Sequence, residues 1–365
     1  MTRACAAFAA ALLLSAAAGP ARAANPDLNA DITGMSQWLS DQMARGLAFN
    51  AGENFDPPKE IKGFYVQPDV SIGVGLIPFD KRTFPQMQVP ELQNGAGANL
   101  FPNSTLFPNL ALHLRMGLPW RGDFYLRLAD ATIPAGYKIS PTMTAQVQTN
   151  SVGAGIRQHL FGGEYPVLTL GAHFNHVQGY TKLSGTYGVS SQGFTANDLF
   201  GGEIAWDVQS YGLSAVVSKS FDGWTPFAGI GYNYTTGSVN VNLDLQSGTF
   251  LIPNITGQGV TNAERNQGRE MAGVSYDRPT WSFFADAELK ALGALQYRSW
   301  IAQFGFALPF DIGRTASIIS MRRGDSAAEP APDADSEPAA EKPARRSRPA
   351  APQPDQSPSG LIFLK

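Results

Sequence analysis

The segment Val70-Ser71-Ile72-Gly73-Val74-Gly75-Leu76 alternates without a break between aliphatic residues and Ser or Gly. A period of two places the aliphatic side chains on one face of an extended strand and the small residues on the other. Because the second face carries only Ser and Gly, it fits a crowded space. This segment therefore predicts a two-faced β-strand rather than a helix.

The same alternation recurs over most of the chain and predicts about ten strands. Near Tyr211 and Gly212 the apolar face moves by one position, which predicts a β-bulge. The predicted strands lie within residues 70–76, 110–117, 124–128, 152–159, 168–175, 203–217, 228–234, 281–289, 299–308 and, more weakly, 314–321.

The connections between these strands alternate in length. Bacterial outer-membrane barrels have an even number of strands, tight periplasmic turns and long outer loops. Three of the short turns carry Trp120, Tyr165 or Trp224, as in an aromatic girdle at a membrane interface. A short connection at 309–313 departs from the alternation. Short turns are predicted at 119–123, 161–165, 221–224 and 292–293, and long loops at 80–106, 132–142, 181–202 and 241–279.

The fold class predicted is all-β: a transmembrane antiparallel up-and-down β-barrel of about ten strands (eight to twelve), with an N-terminal amphipathic helix and a disordered C-terminal tail. A soluble β-sandwich or lipocalin-like binding protein of the periplasm also alternates. Its water-facing side would be richer in Lys and Glu than the Gly, Ala and Ser face seen here. The membrane interpretation is therefore favoured, and the soluble one stays open as an alternative.

Residues 1–23 have the features of a signal peptide. Arg3 precedes an apolar run at 4–18, and Ala21-Arg22-Ala23 supplies a cleavage site near Ala23. Cleavage would remove Cys5, the only cysteine, so the mature chain is predicted to lack disulfides and cysteine metal sites. The mature chain also lacks an apolar stretch of about 18 residues, so a membrane would be crossed by strands.

A single helix is predicted between residues 25 and 55. It could plug the barrel lumen, cap its mouth or lie on the inner leaflet, and the first two are favoured. The apolar residues that share one helical face are Leu28, Ile32, Met35, Leu39, Met43 and Leu47.

The end of the chain has a different composition, because eight of the 26 prolines lie within 329–359. Such a segment cannot bury enough apolar surface to fold. It is predicted to be periplasmic and to act as a linker, or to reach the cell wall or a periplasmic protein. The predicted organisation is signal peptide 1–23, helix and linker 24–60, barrel 61–322 and tail 323–365.

These features together resemble the Gram-negative outer-membrane β-barrel proteins as a broad class. The segment Phe304-Gly305-Phe306-Ala307-Leu308-Pro309-Phe310 is similar to the C-terminal assembly strand of that class, although this chain continues past it. The resemblance implies localisation in the cell outer membrane. It also implies outer-membrane lipid, lipopolysaccharide and the barrel-assembly machinery as partners.

Charged and histidine side chains on the presumed inner faces define the candidate functional residues. Three arginines come from consecutive strands and four carboxylates from later ones, so basic and acidic walls could oppose each other in a pore or pair across a filled interior. Ten strands leave little lumen, which favours pairing. The predicted lumen network is Arg115, Arg127, Arg157, Glu203, Asp207, Asp286, Glu288, His113, His159 and His173.

The function predicted is non-enzymatic: a narrow channel, a conduit for small hydrophobic solutes or a structural surface component. The chain has 27 Lys+Arg and 30 Asp+Glu, which offers no basic surface for nucleic acid. A lipid or lipopolysaccharide hydrolase using a histidine and a serine such as Ser214 is the alternative, without a supporting spacing. His173 and His176 point to opposite faces of a strand, and no catalytic, cofactor or metal site is predicted.

Overall fold

A computed structural model describes residues 26–52, 58, 65–140, 143–162, 165–191, 194–246 and 254–311. The chain divides into a unit Met1–Ile318 and a unit Ile319–Lys365, and every described residue belongs to the first. The predicted signal peptide, the predicted strand at 314–321 and the predicted tail lie outside the described residues, so the boundaries proposed for them stay predictions.

The described chain forms one antiparallel sheet that closes on itself, because its first strand pairs with both its second and its eleventh. The strands are β1 (Tyr65–Pro78), β2 (Ser104–Leu118), β3 (Gly122–Ser140), β4 (Met143–Phe161), β5 (Val167–Ser191), β6 (Phe194–Ser218), β7 (Trp224–Gln246), β8 (Ile255–Asn262), β9 (Asn266–Asp277), β10 (Ser282–Leu292), β11 (Trp300–Ala307) and β12 (Phe310–Asp311).

These twelve strands occupy ten positions around the ring. Strands β8 and β9 follow each other along β7, pairing with residues 238–245 and 224–234 respectively. Strands β11 and β12 likewise share β1. The predicted closed barrel of about ten antiparallel strands is confirmed.

The count agrees although one crossing was missed. Strands β8 and β9 lie in the stretch 241–279 that was predicted to be a loop, because β8 carries Thr and Gln opposite Gly and shows no apolar alternation. The extra crossing places the turn at 292–293 at the opposite end of the barrel from the turn at 119–123. In this part of the chain, the connection that lies at the same end as the turn 119–123 is the tight one between β9 and β10, where Arg278 N–H donates to the Trp281 carbonyl at 2.8 Å.

Three further loop and bulge predictions are wrong. The segments 132–142 and 181–202 are largely strand, since β3 reaches Ser140 and β5 and β6 extend to Ser191 and from Phe194. Strand β6 pairs in continuous register with both neighbours, so it contains no bulge near Tyr211.

The apparent shift in β6 is an inversion of polarity. Ile204, Trp206 and Val208 are buried and face the lumen, whereas Tyr211 and Leu213, nearer the other end of the strand, are exposed and face outward. The same inversion occurs in neighbouring strands: β7 turns Ile230 and Tyr232 outward but Val239 and Val241 inward. An apolar exterior that becomes polar marks the point where the barrel leaves lipid for water.

The height of the apolar exterior fits a bilayer. Along β7, outward apolar residues run from Trp224 to Tyr234. Ten steps of about 3.4 Å, at a strand tilt of about 40°, span roughly 26 Å, close to the ~25 Å apolar band of membrane barrels. We call this surface the belt.

The two ends of the barrel differ. The turn end carries the short connections 119–121, 162–166, 219–223 and 278–281, and the rim carries the connection 79–103 together with the parts of β3–β8 that extend beyond the belt. Aromatic rings form a row at the turn end: Trp224–Tyr276, Tyr276–Trp281 and Trp281–Phe306 have centroid distances of 4.6, 5.8 and 6.2 Å.

In the described part of the chain, two α-helices accompany the strands: α1 (Pro26–Ala51), and the short α2 (Ala96–Asn99) within the connection 79–103. No helix in the described part of the chain is both long and apolar enough to cross a membrane.

Candidate functional site in the barrel lumen

Helix α1 lies inside the barrel. Near its start, the Asp31 carboxylate accepts the N–H groups of Gln88 and Val89 from the rim connection, each at 2.8 Å. At its end, the Gly52 carbonyl accepts a hydrogen bond of 3.3 Å from Asn233 Nδ2, a buried side chain on β7. Of the placements considered from sequence, the structure therefore shows the lumen plug.

The rim half of the lumen is apolar. The helix turns Ile32, Met35, Leu39, Met43 and Leu47 into a cluster with inward side chains of the long strands. This packing explains why those strands have apolar interiors where their exteriors are polar. The strand residues of the cluster include Val177, Ile204, Trp206, Val208, Val239, Val241 and Leu243.

Two glycines of β8 let the helix approach the barrel wall closely. A β-carbon at Gly257 would lie 2.6 Å from the main-chain carbonyl carbon of Ile32, and one at Gly259 would collide with the main chain at Ser36. Beside them, the Gln37 side-chain amide donates to the Val260 carbonyl at 3.2 Å and accepts from its N–H at 3.3 Å. The helix thereby covers a strand edge that would otherwise expose unpaired main-chain groups.

Two buried cations bind the C-terminal end of α1. Arg269 Nη2 donates to the Phe49 carbonyl at 2.9 Å, and Lys290 Nζ donates to the Arg45 carbonyl at 3.3 Å. The last carbonyls of a helix lack partners within it and carry partial negative charge, so cations stabilise this end. Carboxylates balance both charges, since Glu288 pairs with Arg269 and Glu264 with Lys290.

The turn-end half of the lumen is filled by a polar network centred on Asp123. This buried carboxylate contacts Arg157 Nε at 2.9 Å, Arg115 Nη2 at 3.3 Å and His159 Nε2 at 2.8 Å. His159 Nδ1 lies 2.9 Å from Thr169 Oγ1. The two guanidinium groups stabilise a carboxylate that would be costly to bury alone.

Further pairs complete the network. Asp69 Oδ1 lies 2.7 Å from His113 Nδ1, and both side chains are buried. Arg127 donates to Ser151 Oγ at 2.6 Å and to Asn109 Oδ1 at 2.7 Å. On the adjoining wall, His173 Nε2 lies 3.0 Å from Asn233 Nδ2 and 3.3 Å from the Gly52 carbonyl. The network thus reaches the end of the plug helix.

Two residues of the predicted network lie elsewhere. Glu203 and Asp207 are on the outer wall of the rim, with side chains 44% and 65% exposed, where they pair with Lys182 at 3.7 Å and His176 at 2.8 Å. The prediction assumed that the charged face of β6 points inward, and the polarity inversion reverses this. The residues placed in the lumen are Arg115, Arg127, Arg157, Asp286, Glu288, His113, His159 and His173.

Sequence reasoning also missed five charges in the described part of the lumen wall: Asp69, Asp123, Glu264, Arg269 and Lys290. Asp69 was detectable, because the alternation of Ser71 and Gly73 continues back to it. Asp123 was assigned to a turn, and Glu264 and Arg269 to a loop. With these residues in place, each side of the lumen holds both signs of charge, because Asp69 and Asp123 lie among the basic residues of β2–β4, and Arg269 and Lys290 lie beside Glu288 and Glu264. Purely basic and purely acidic walls, one of the two arrangements considered from sequence, are therefore not formed.

The network includes a Thr169–His159–Asp123 line in the order of a nucleophile, a base and an orienting acid. Thr169 is only 2% exposed, and Asp123 is engaged by two arginines. A cavity near Arg127 and Asn50 measures about 20 Å³, enough for a single water molecule. Among the described residues, no group of three or more His, Asp or Glu is placed to hold a metal ion.

A closed antiparallel sheet with an apolar belt, aromatic residues at one end and a lumen holding its own helix defines a plugged outer-membrane β-barrel. The sequence matches a family described as "Family of unknown function (DUF6588)" over residues 74–295, and the chain belongs to that family. A search of curated protein sequences gave no match.

Several solved outer-membrane structures are similar to this chain. The translocator domain of the autotransporter NalP from Neisseria meningitidis has 10% identity and a TM-score of 0.34, covering 74% of this chain and 95% of that one. The outer membrane protease OmpT from Escherichia coli has 11% identity and a TM-score of 0.35, covering 68% and 97%. The P. putida toluene transporter TodX has 12% identity and a TM-score of 0.30, covering 66% of each chain. Similarities this weak carry no inference about activity.

Proposed function

We propose that the protein is a non-enzymatic structural component of the outer membrane, whose lumen is closed in the resting state by helix α1. The observation that carries this proposal is that α1 lies in the lumen and contacts the barrel wall along its whole length. Asp31 is bound at the rim, and Phe49 and Gly52 are bound at mid-lumen.

Apolar packing and hydrogen bonds from buried cations both favour a plug that stays in place. Burial of each large apolar side chain contributes roughly 2 kcal/mol, and five such residues of α1 are buried in the cluster. Withdrawal of the helix would also leave the Arg269 and Lys290 side chains without the carbonyls they bind. A standing pore would need neither feature.

Single-channel recording in planar bilayers tests the closed state. The full-length protein should be electrically silent. A variant that lacks residues 26–52 and also carries Arg115→Ala and Asp123→Ala should conduct, because the rim half of its lumen is then empty and the polar network that fills the turn-end half is thinned. The two substitutions without the deletion should leave the protein silent, because α1 still closes the rim half. A matched control carries Asn240→Ala on the outer wall of the rim and should be silent. Steady ion conductance by the full-length protein would overturn the proposal.

A conduit for small hydrophobic solutes is the second candidate. It is supported by the apolar lining of the rim half, which includes Trp206, Val239 and Leu243. Solute entry would require α1 to move. Faster uptake of an apolar dye into proteoliposomes by the full-length protein would favour this candidate over a purely structural role, provided that it is lost when a short bifunctional thiol reagent joins α1 to β8. Gln37→Cys and Thr261→Cys provide the attachment points, because these two side chains are in contact.

A hydrolase is the competing class. Purified protein incubated with phospholipid and with lipopolysaccharide should release no product, because Thr169 and His159 lie in a packed interior. Product formation that His159→Ala abolishes and His176→Ala leaves intact would refute the non-enzymatic proposal.

The leader, the orientation in the membrane and the partners are also part of the proposed function. We propose that the leader is removed near Ala23, that the rim faces the cell exterior and that the turn end faces the periplasm. The partners proposed are outer-membrane lipid, lipopolysaccharide and the assembly machinery, with a periplasmic contact through residues 323–365. Intact mass of the purified protein tests the cleavage site, since a retained leader adds 23 residues.

A further inference from the structure

We infer that the chain enters the barrel lumen from the cell exterior, so that the first turn of α1 is displayed on the cell surface. The plug would then have a second role, which is to present its exposed residues Asp27 and Ala30 outside the membrane. This inference rests on the proposed membrane placement of the rim and the turn end.

Helix α1 runs from the rim towards the turn end. Its beginning is at the rim, where Asp31 binds the connection 79–103 and Ile32 packs at Gly257. Its end is deeper in the lumen, where the Gly52 carbonyl contacts His173 and Asn233. The helix is long enough to reach from the rim into the middle of the lumen, because 26 residues at about 1.5 Å each span roughly 39 Å.

Beyond α1, the chain continues towards the turn end. Ser218 Oγ donates to the Pro58 carbonyl at 3.1 Å, and Ser218 is the last residue of β6 at the turn end. Strand β1 then begins at Tyr65, also at the turn end, where it faces β12. Pro26, Gly52, Pro58 and Tyr65 therefore mark successive depths, and the chain traverses the lumen from rim to turn end.

The contrast between the two ends of the barrel sets its orientation in the membrane. The rim has the longest connection and a wall whose exterior is polar, as at Lys182, Glu203 and Asp207, so it stands in water beyond the belt. Two-residue connections also occur at the rim, between β3 and β4 and between β5 and β6, but these strands first extend well beyond the belt. At the turn end, connections of three to five residues join the strands directly at the edge of the belt, beside the aromatic row. Because membrane barrels place tight turns in the periplasm and the longer excursions of the chain outside, the start of α1 is extracellular. Asp27 and Ala30 are exposed there.

The first turn of α1 is available to an extracellular partner while the barrel remains closed, since the same helix is also the plug. By contrast, a plug entering from the periplasm would have its N-terminus at the turn end. The two arrangements differ in which residues a reagent outside the cell can reach.

Thiol labelling of intact cells with a membrane-impermeant maleimide separates these arrangements. Cys5 is the only native cysteine, and Cys5→Ser supplies the background. Asp27→Cys reports the start of α1, and Ala30→Cys is a second probe in case the first fails to fold. Gln258→Cys on the outer wall of the rim and Thr280→Cys at the turn end are the orientation controls, all in the full-length chain.

We expect Asp27→Cys and Gln258→Cys to be labelled on intact cells, and Thr280→Cys only after permeabilisation. Labelling of Gln258→Cys with protection of both α1 probes would overturn the inference while leaving the membrane placement standing. Labelling of Thr280→Cys with protection of Gln258→Cys would overturn the placement itself. Heat-modifiable gel migration verifies that each variant is folded.

Discussion

Arg269 Nη2 donates a 2.9 Å hydrogen bond to the Phe49 carbonyl, which joins barrel strand β9 to the last turn of the plug helix. The same guanidinium lies 4.8 Å from the centroid of the Phe49 ring and pairs with Glu288 across to β10. One buried side chain thus links the plug, two strands and the charge balance of the lumen.

Replacement of Arg269 by Met should destabilise the barrel strongly. Glu288 would be left buried without its cation, which typically costs about 3–5 kcal/mol. The temperature at which heat-modifiable migration is lost on gels measures this effect. The double variant Arg269→Met/Glu288→Gln should recover much of the loss, and equal instability of the single and double variants would contradict the charge argument.

Replacement of Gly259 by Val should displace α1 without disrupting the barrel. The added side chain would collide with the main chain at Ser36, and the barrel strands can keep their pairing if the helix moves instead. The expected result is faster proteolysis within 26–52 in detergent, with heat-modifiable migration retained. Gln258→Val, on the opposite face of β8, is the control, and matched proteolysis of the two variants would contradict the proposed contact.

Leu112→Arg should be costly, because this exposed residue of β2 lies within the belt. An arginine near the bilayer midplane costs about 2–4 kcal/mol in membrane barrels, whereas one beyond the membrane costs little. Asn240→Arg, which points outward from β7 above the belt, is the matched control. Unfolding free energies measured in lipid vesicles should differ by that amount, and equal values would place the belt wrongly.

Tryptophan quenching can map the belt directly. Trp224 and Trp281 are exposed at the turn end, whereas Trp38 and Trp206 are buried in the lumen. In variants that keep a single tryptophan, brominated acyl chains should quench the first pair and leave the second nearly unaffected. Quenching of Trp206 equal to that of Trp224 would mean that the polarity inversion in β6 has been misassigned.

Loss of the Asp123 carboxylate should destabilise the turn-end half of the lumen. Asp123→Asn keeps the shape but leaves Arg115 and Arg157 facing a neutral group, at a cost of about 3 kcal/mol or more. Chemical denaturation of the reconstituted protein measures the change. Asp130→Asn, an exposed position on the same strand, should be neutral, and the prediction fails if the two variants unfold alike.

Much of the fold could be predicted because a strand between lipid and a crowded lumen must alternate. In β2, Leu112 and Leu114 face outward while His113 and Arg115 face inward, as the pattern indicates. Prediction failed beyond the belt. There the barrel exterior faces water, so Ile204 and Trp206 point inward and Glu203 and Asp207 point outward. The assumption that apolar side chains face outward holds only in lipid, and it therefore assigned these residues to the wrong faces.

The sequence by itself determined the closed antiparallel barrel, its approximate size and the N-terminal helix, because local alternation and helical periodicity are set by residues a few positions apart. The tertiary structure alone decided where the helix lies and which charges meet. Asp123 with Arg157, Arg269 with Phe49 and Gly259 with Ser36 are distant in sequence, so their contacts depend on strand register and on the helix entering the lumen from the rim.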